Sequence, residues 1–420
     1  MVDLLSRADV IFSKTKAFYR FDIDTPEDEL IAALRQLLEQ WSEVTVAATN
    51  ASDDELFYLN VTRGLLHRIF ALNLVKNAFQ NDPSLTCEIF ELCWDFLRTQ
   101  LDIFTKDDPT MFSISNIRSI MEVLSNLTIV FRPTDFHLID EQLLLVMREY
   151  ADRDSINPDL IDGIFSCIWS LSDHTSLIPL FLQTGYAKSL YQWIEISPNK
   201  FRNDQQTALI NILQNMSRHD HAVEEFNRLE ILTMIDRLKL GLDFSFSLQI
   251  IRILLTDSDQ IKLESTDFLT QFISMMISAS ESEDYRHEGS HVCELLTVVA
   301  KLSYNDEILT MILTNRSSMV EFFASLLIKL YPSLSPQGSS LKNYACVLLM
   351  NILARISYQR DYASIISNNE SLMTIVENVT KTEMDFIVIF MSRTMKDIRV
   401  AANEIQENLT SSNILHDDVE

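Results

Sequence analysis

The stretch whose reading decides the fold is SCIWSLSDHTSLIPLFLQTGYAKSLYQWI, residues 166–194. Apolar residues recur at helical spacing up to Leu171, give way to a polar connector, resume over a short apolar segment, stop at Gly185 and resume again. The pattern predicts helix, break, short helix, corner, helix. Gly185 is one of only six glycines in 420 residues. Glycine is a strong punctuator of local structure, so a lone one between two apolar segments marks a break.

The pattern recurs. A long apolar helix ends in a leucine-like residue followed by Ser or Thr at Leu127-Thr128, Leu171-Ser172, Met216-Ser217, Leu255-Thr256, Leu302-Ser303 and Ile356-Ser357, in steps of 44, 45, 39, 47 and 54 residues. A polar connector, a short apolar segment and a second helix follow each of these ends, which makes three helices per unit. The longer steps are accounted for by inserted loops, SESEDYRHEGS at 280–290 and PSLSPQGSSL at 332–341. Self-similarity at such a period is the signature of a helical repeat array.

A short helix, a glycine-marked corner, a second helix and a long third helix ending in an LS or NLT step resembles the armadillo repeat, and IWSLSDHTSLIPLFLQTGYAKSL is its best copy here. The resemblance runs from about Ser113 to Ile398. It implies an all-α chain, a right-handed α-solenoid of armadillo-like three-helix repeats with a diverged helical N-terminal cap. Residues 1–112 would form the cap or diverged repeats, 113–398 the repeats, and 399–420 a C-terminal tail, partly disordered. It also implies that Gly185 turns the corner between first and second helices, and that Asn227, Asn315, Asn368 and Asn369 fill or flank that corner elsewhere, since Asn tolerates the left-handed region next best. The N-terminal third reads as helices over Glu27–Ala48, Asp54–Phe79 and Ser84–Phe104.

Composition agrees with helices. Nine prolines and six glycines in a chain that is 47% hydrophobic are few, and their scarcity argues for long helices joined by short connections. The net charge is −26, from 34 Lys plus Arg against 60 Asp plus Glu. Such a field repels a phosphate backbone and argues against nucleic-acid binding. Arg393, Lys396 and Arg399 share one helix face and read as a solvated surface. Five scattered cysteines without a CxxC pair read as buried apolar residues of a reducing compartment. Neither a signal sequence nor a membrane-length apolar run is present, so the sequence predicts a cytoplasmic protein, also compatible with the nucleus.

No Gly-rich phosphate loop, HExxH, GxSxG or kinase signature occurs. The expectation is therefore of a protein that is no enzyme and has no cofactor and no metal site. DYRHEGSHVC holds Asp284, His287, His291 and Cys293, but their spacing fits no standard zinc pattern. His219 and His221 of RHDH read as part of a solvated connector.

The resemblance offers one further test. In the nuclear-import branch of the armadillo family, a Trp and an Asn four residues later project from each third helix to hold an extended basic peptide. With the LS step as register, the first column here reads Ser125, Trp169, Gln214, Ile253, Ala300 and Ala354, and the second Ile129, Asp173, Arg218, Asp257, Tyr304 and Tyr358. Only Trp169 matches, so that mechanism is not supported. What the columns leave as groove candidates are Trp169, Asp173, Arg218, Asp257, Tyr304 and Tyr358, among which aromatic residues and Arg are the types that dominate interaction energies. The expectation is a scaffold or adaptor that binds a protein partner along a concave groove, a basic partner suiting the charge. A regulator of nucleotide exchange on a small or heterotrimeric GTPase is the alternative, because such proteins pry open a partner's switch and carry no nucleotide motif of their own.

Overall fold

A computed structural model of the chain describes residues 137–153, 158–238, 244–263, 266–316, 318–334, 340–381 and 400–409, with single positions and short runs before residue 128. The expected helix over 54–79, the columns' Ser125 and Ile129, the cluster Arg393, Lys396 and Arg399, and the tail from Thr410 lie outside the described residues. The described positions of 27–48 and 84–104 are helical, and Ile89, Phe90, Cys93 and Trp94 among them are buried.

Among the described residues the structure is all-α apart from one two-stranded ladder. It forms two compact units, Met1–Leu213 and Gln214–Glu420. The first contains α1 (Glu141–Ala151), α2 (Pro158–Ser172), a 3-10 turn at Thr175–Leu177 running into α3 (Ile178–Gln183), and α4 (Tyr186–Lys200), with α5 (Asn203–Met216) at its end. The second contains α6 (Asp220–Arg228), α7 (Ile231–Leu238), α8 (Ser245–Leu255), α9 (Thr266–Glu281), β1 (Arg286–His287), β2 (Ser290–His291), α10 (Val292–Leu302), α11 (Asp306–Asn315), α12 (Met319–Leu330), α13 (Ser340–Ser357), α14 (Arg360–Ser367) and α15 (Glu370–Lys381). A further helix, α16, covers 400–409. Short helix, second helix and third helix follow one another over α3–α5, α6–α8 and α11–α13, the order expected of an armadillo-like repeat.

The recurring LS step has a physical cause. Leu171, Met216, Leu302 and Ile356 are fully buried and anchor the ends of their helices. The serine that follows turns its hydroxyl back on the helix: Ser172 donates to the Trp169 carbonyl at 2.7 Å, Ser303 to Ala300 at 2.8 Å and Ser357 to Ala354 at 2.7 Å. These bonds satisfy carbonyls that a helix end leaves without an intrahelical partner. Three residues after the leucine, a backbone N–H closes the turn, from His174 to Leu171, His219 to Met216, Asn305 to Leu302 and Gln359 to Ile356, at 2.9–3.1 Å. That same residue begins the next short helix. Asn305 does so with its side chain, accepting from the Ile308 N–H at 3.2 Å.

The core of the first unit is aromatic. Phe181 and Tyr186 meet edge to face at 4.7 Å, Tyr186 lies 6.0 Å from Trp193, and Phe165 lies 5.4 Å from both Trp193 and Phe201. Polar tips of these rings are satisfied by α1 and its end: the Tyr186 hydroxyl donates to the Leu144 carbonyl and the Trp193 indole to Asp152, both at 2.8 Å. In the second unit α8 packs on α10, α10 on α13, and α12 on α13 and α15. Leu295, Leu296, Val299, Phe323, Leu327, Leu349, Ile352 and Leu353 fill the space between them. Burying one such side chain contributes roughly 1.5–3 kcal/mol.

Four local expectations are corrected. Gly185 does take the left-handed backbone at φ 82, but none of the four asparagines does so elsewhere. At the next corner Glu230 adopts it, φ 55, while Asn227 donates to the Leu255 carbonyl at 3.0 Å. Asn315 bonds Thr270, Asn368 is right-handed, and Asn369 accepts from the Leu372 N–H at the start of α15. After Leu255 the described residues hold no short first helix; a connector over 256–263 precedes the 16-residue α9. The loop expected at 280–290 is instead the last turn of α9 and a β-hairpin, turned by Glu288 and Gly289 at φ 49 and 85. Finally, part of the expected C-terminal tail is helix α16, whose Ala401, Ala402, Ile405 and Leu409 join the second core. Its small and branched residues at i, i+1, i+4 and i+8 form an apolar face that the charged residues around it obscure in the sequence.

Candidate functional site

The structure separates the six groove candidates by burial. In the first unit Trp169 is half-buried on α2 and Asp173 is 7% exposed just past its end. In the second unit Arg218 is also 7% exposed, its Nε donating to the Asn215 carbonyl at 3.1 Å. Its charge is felt in the core: burial, then the nearby Cys293, push the Tyr344 hydroxyl up to about 12, and Arg218 opposes that rise. Asp257 is exposed in the connector after α8. Asp173 and Arg218 thus offer a partner little surface, whereas Tyr304 and Tyr358 are 60% and 57% exposed.

Those two tyrosines are brought together by a residue that the column reading missed. Arg355, in the last turn of α13, has its Cζ 4.2 Å from the Tyr304 ring centroid and 6.0 Å from that of Tyr358. Tyr304 follows the end of α10 and Tyr358 the end of α13, and the packing of α10 on α13 aligns the two ends. Burial by itself disfavours the Arg355 charge, but the hydrogen bond and charge interactions with Tyr304, together with Glu404 of α16 and Tyr358, raise its pKa on balance. The guanidinium stays charged at any physiological pH. A signal for Arg355 was present in the sequence: it precedes Tyr358 by three residues, which places both on one side of a helix end.

Such a cluster can bind but has no group poised for chemistry. Aromatic rings supply large, rigid contact area with few side-chain torsions to freeze. A guanidinium has five N–H donors, so one engaged with Tyr304 retains others for a carboxylate or a backbone carbonyl. Of the large apolar residues exposed among the described residues, Ile196, Tyr304, Tyr358 and Val400, only these two tyrosines share a neighbour in this way.

The residues with metal-ligand chemistry have other tasks. His291 caps α10: its Nδ1 accepts from the Cys293 N–H at 3.1 Å while Glu294 accepts from the His291 N–H at 2.8 Å, a reciprocal capping box. Cys293 is fully buried and His287 exposed. His219 begins α6, and His221, 5.5 Å away ring to ring, lies 3.7 Å from Glu224. No helix among the described residues is long and apolar enough to cross a membrane.

No family model matches the sequence, and no curated protein matches it. Solved structures do show similarity. One comes from a study of a conserved phosphorylation switch that controls the interaction between cadherin and beta-catenin, at 12% identity and a TM-score of 0.47 over 97% of this chain and 83% of that one. Importin beta crystallised in polyethylene glycol is 13% identical with a TM-score of 0.41, over 89% of this chain and 44% of its own. A designed armadillo repeat protein, YIII(Dq)4CqI, is 10% identical with a TM-score of 0.26, over 74% and 98%. At such scores and identities, function is left to be decided by the chain's own residues.

Proposed function

We propose that the protein is a non-enzymatic interaction scaffold that holds a protein partner on the surface formed where the ends of α10 and α13 meet. The observation that supports this is the Tyr304–Arg355–Tyr358 cluster, two tyrosines more than half exposed with their ring centroids 4.2 and 6.0 Å from one guanidinium. Tyr and Arg are the residues that most often carry binding energy when a partner excludes water from them. Within this reading Asp257 adds a contact in the same unit and Arg218 supports a neighbouring helix end, while Trp169 and Asp173, in the first unit, are a separate proposed contact point. The charge of −26 draws a basic partner in from a distance, and Arg355 fixes its register by bonding a carbonyl or carboxylate on it.

The test compares affinity purification from a cell extract with the wild-type chain and with the Tyr304→Ala/Tyr358→Ala variant. The reading requires at least one stable partner that the variant loses by more than about tenfold, as two hot-spot truncations of roughly 1 kcal/mol or more each imply, with thermal stability within a degree or two of wild type. Identical capture by both chains, or no stable partner at low as well as physiological salt, would refute it.

A further inference from the structure

The repeat that lacks its first helix leaves a gap. Elsewhere a short first helix buries apolar side chains, Ala222 and Phe226 in α6, Ile308 and Ile312 in α11, Ala363 and Ile366 in α14. After Leu255 the connector takes that place, and a cleft of about 230 Å³ opens beside it between α7, α8 and the start of α9. Its floor is apolar: Ile253, Ile261 and Phe268 are each no more than 6% exposed. The rim is charged. Arg252 is bonded to Asp236 at 2.6 Å, and Lys262, exposed on the connector, has no ion pair among the described residues. Of the charged residues that line the cleft two are cations and one is a carboxylate, while Asp257 and Asp259, exposed on the same connector, lie outside that lining.

We infer that this cleft is a docking pocket for a short partner segment that inserts one large apolar side chain over Ile253, Ile261 and Phe268 and sets an adjacent carboxylate against Lys262. The volume suits one aromatic or long aliphatic side chain. The partner replaces the apolar contact that the missing helix makes in the other repeats, and each of those helices also carries an acid in its first turn, Asp220, Asp306 and Asp361. Charge complementarity selects the carboxylate: with Asp236 neutralised by Arg252, Lys262 is the group left to be answered. The site is independent of the tyrosine cluster and stands or falls without it.

Full-length protein with labelled isoleucine methyl groups, its Ile253 and Ile261 signals assigned by Ile→Val substitution, is titrated with three probes by NMR. These are N-acetylphenylalanine, its neutral amide, and phenethylamine. The carboxylate is expected to shift both methyls saturably at millimolar concentration and to bind roughly threefold more tightly than the amide, the worth of an exposed ion pair, with the amine weakest. In Lys262→Glu, folded by its thermal midpoint, that preference should vanish while apolar binding of the amide persists. Absence of saturable shifts at these two methyls, equal binding of carboxylate and amide to wild type, or tighter binding of the amine would each overturn the inference. Because Tyr304 and Tyr358 are untouched, failure here leaves the partner surface at α10 and α13 standing.

Discussion

At Gly185 the backbone sits at φ 82, and a Cβ added there would come within 2.7 Å of the Arg148 guanidinium, which is bonded to the carbonyl of Thr184. Moving a long side chain is cheap by itself, so the backbone decides: forcing an L-residue into the left-handed region costs about 1–2 kcal/mol. Gly185→Ala should therefore destabilise the first unit by about that amount in urea unfolding, and a loss under about 0.5 kcal/mol would show the corner to be more tolerant than its dihedral implies. Burial acts at the residue scale too. It pushes the thiols of Cys167 and Cys346, and the hydroxyl of Tyr344, up to about 12. The thiols lose their protons near 9 in an unfolded chain, so the stability these groups confer is complete below that pH. It falls as pH rises from about 9 toward 12, because only the unfolded state gains by releasing the protons. Thermal midpoints should decline across that window, and less steeply in Cys167→Ala, although that variant starts lower.

Elements are joined by a few well-placed polar atoms. Asp152, just past α1, accepts from the Trp193 indole of α4 at 2.8 Å, and Ser189 lies 3.5 Å from its second oxygen. Trp193 is 2% exposed, so in Asp152→Ala its N–H would lose its only acceptor among the described residues. Asp152 itself faces solvent, and water can replace part of the bond; we expect a loss of about 1–2 kcal/mol with a shift in tryptophan fluorescence. An unchanged unfolding midpoint would mean that water substitutes fully. Gln205 plays a similar part between α5 and α2, donating to Asp162 at 2.7 Å and to the Pro158 carbonyl at 3.1 Å. Helix existence and the LS step were legible because each rests on local periodicity and on a bond three residues long. The hairpin after α9 and the loss of the short helix after Leu255 were not. Both depend on what the neighbouring repeat leaves uncovered, which no window of sequence contains.

For the molecule as a whole, charge is the long-range property. With −26 spread over 420 residues, association with a basic partner should slow steeply as ionic strength rises toward and beyond about 0.1 M, where the Debye length is about 10 Å, while dissociation changes little. Stopped-flow rates independent of salt would exclude a basic partner. The sequence by itself determined the helical class, the repeat step and the corner at Gly185, because buried leucines, serine caps and a glycine at positive φ are all requirements a chain meets within a few residues. It also offered Tyr304 and Tyr358, but in a column with Asp173 and Arg218. Only the tertiary structure separates them by exposure. Arg355 meets Tyr304 because α10 packs on α13, and exposure depends on which neighbour covers a helix end, a contact between residues some 50 apart along the chain.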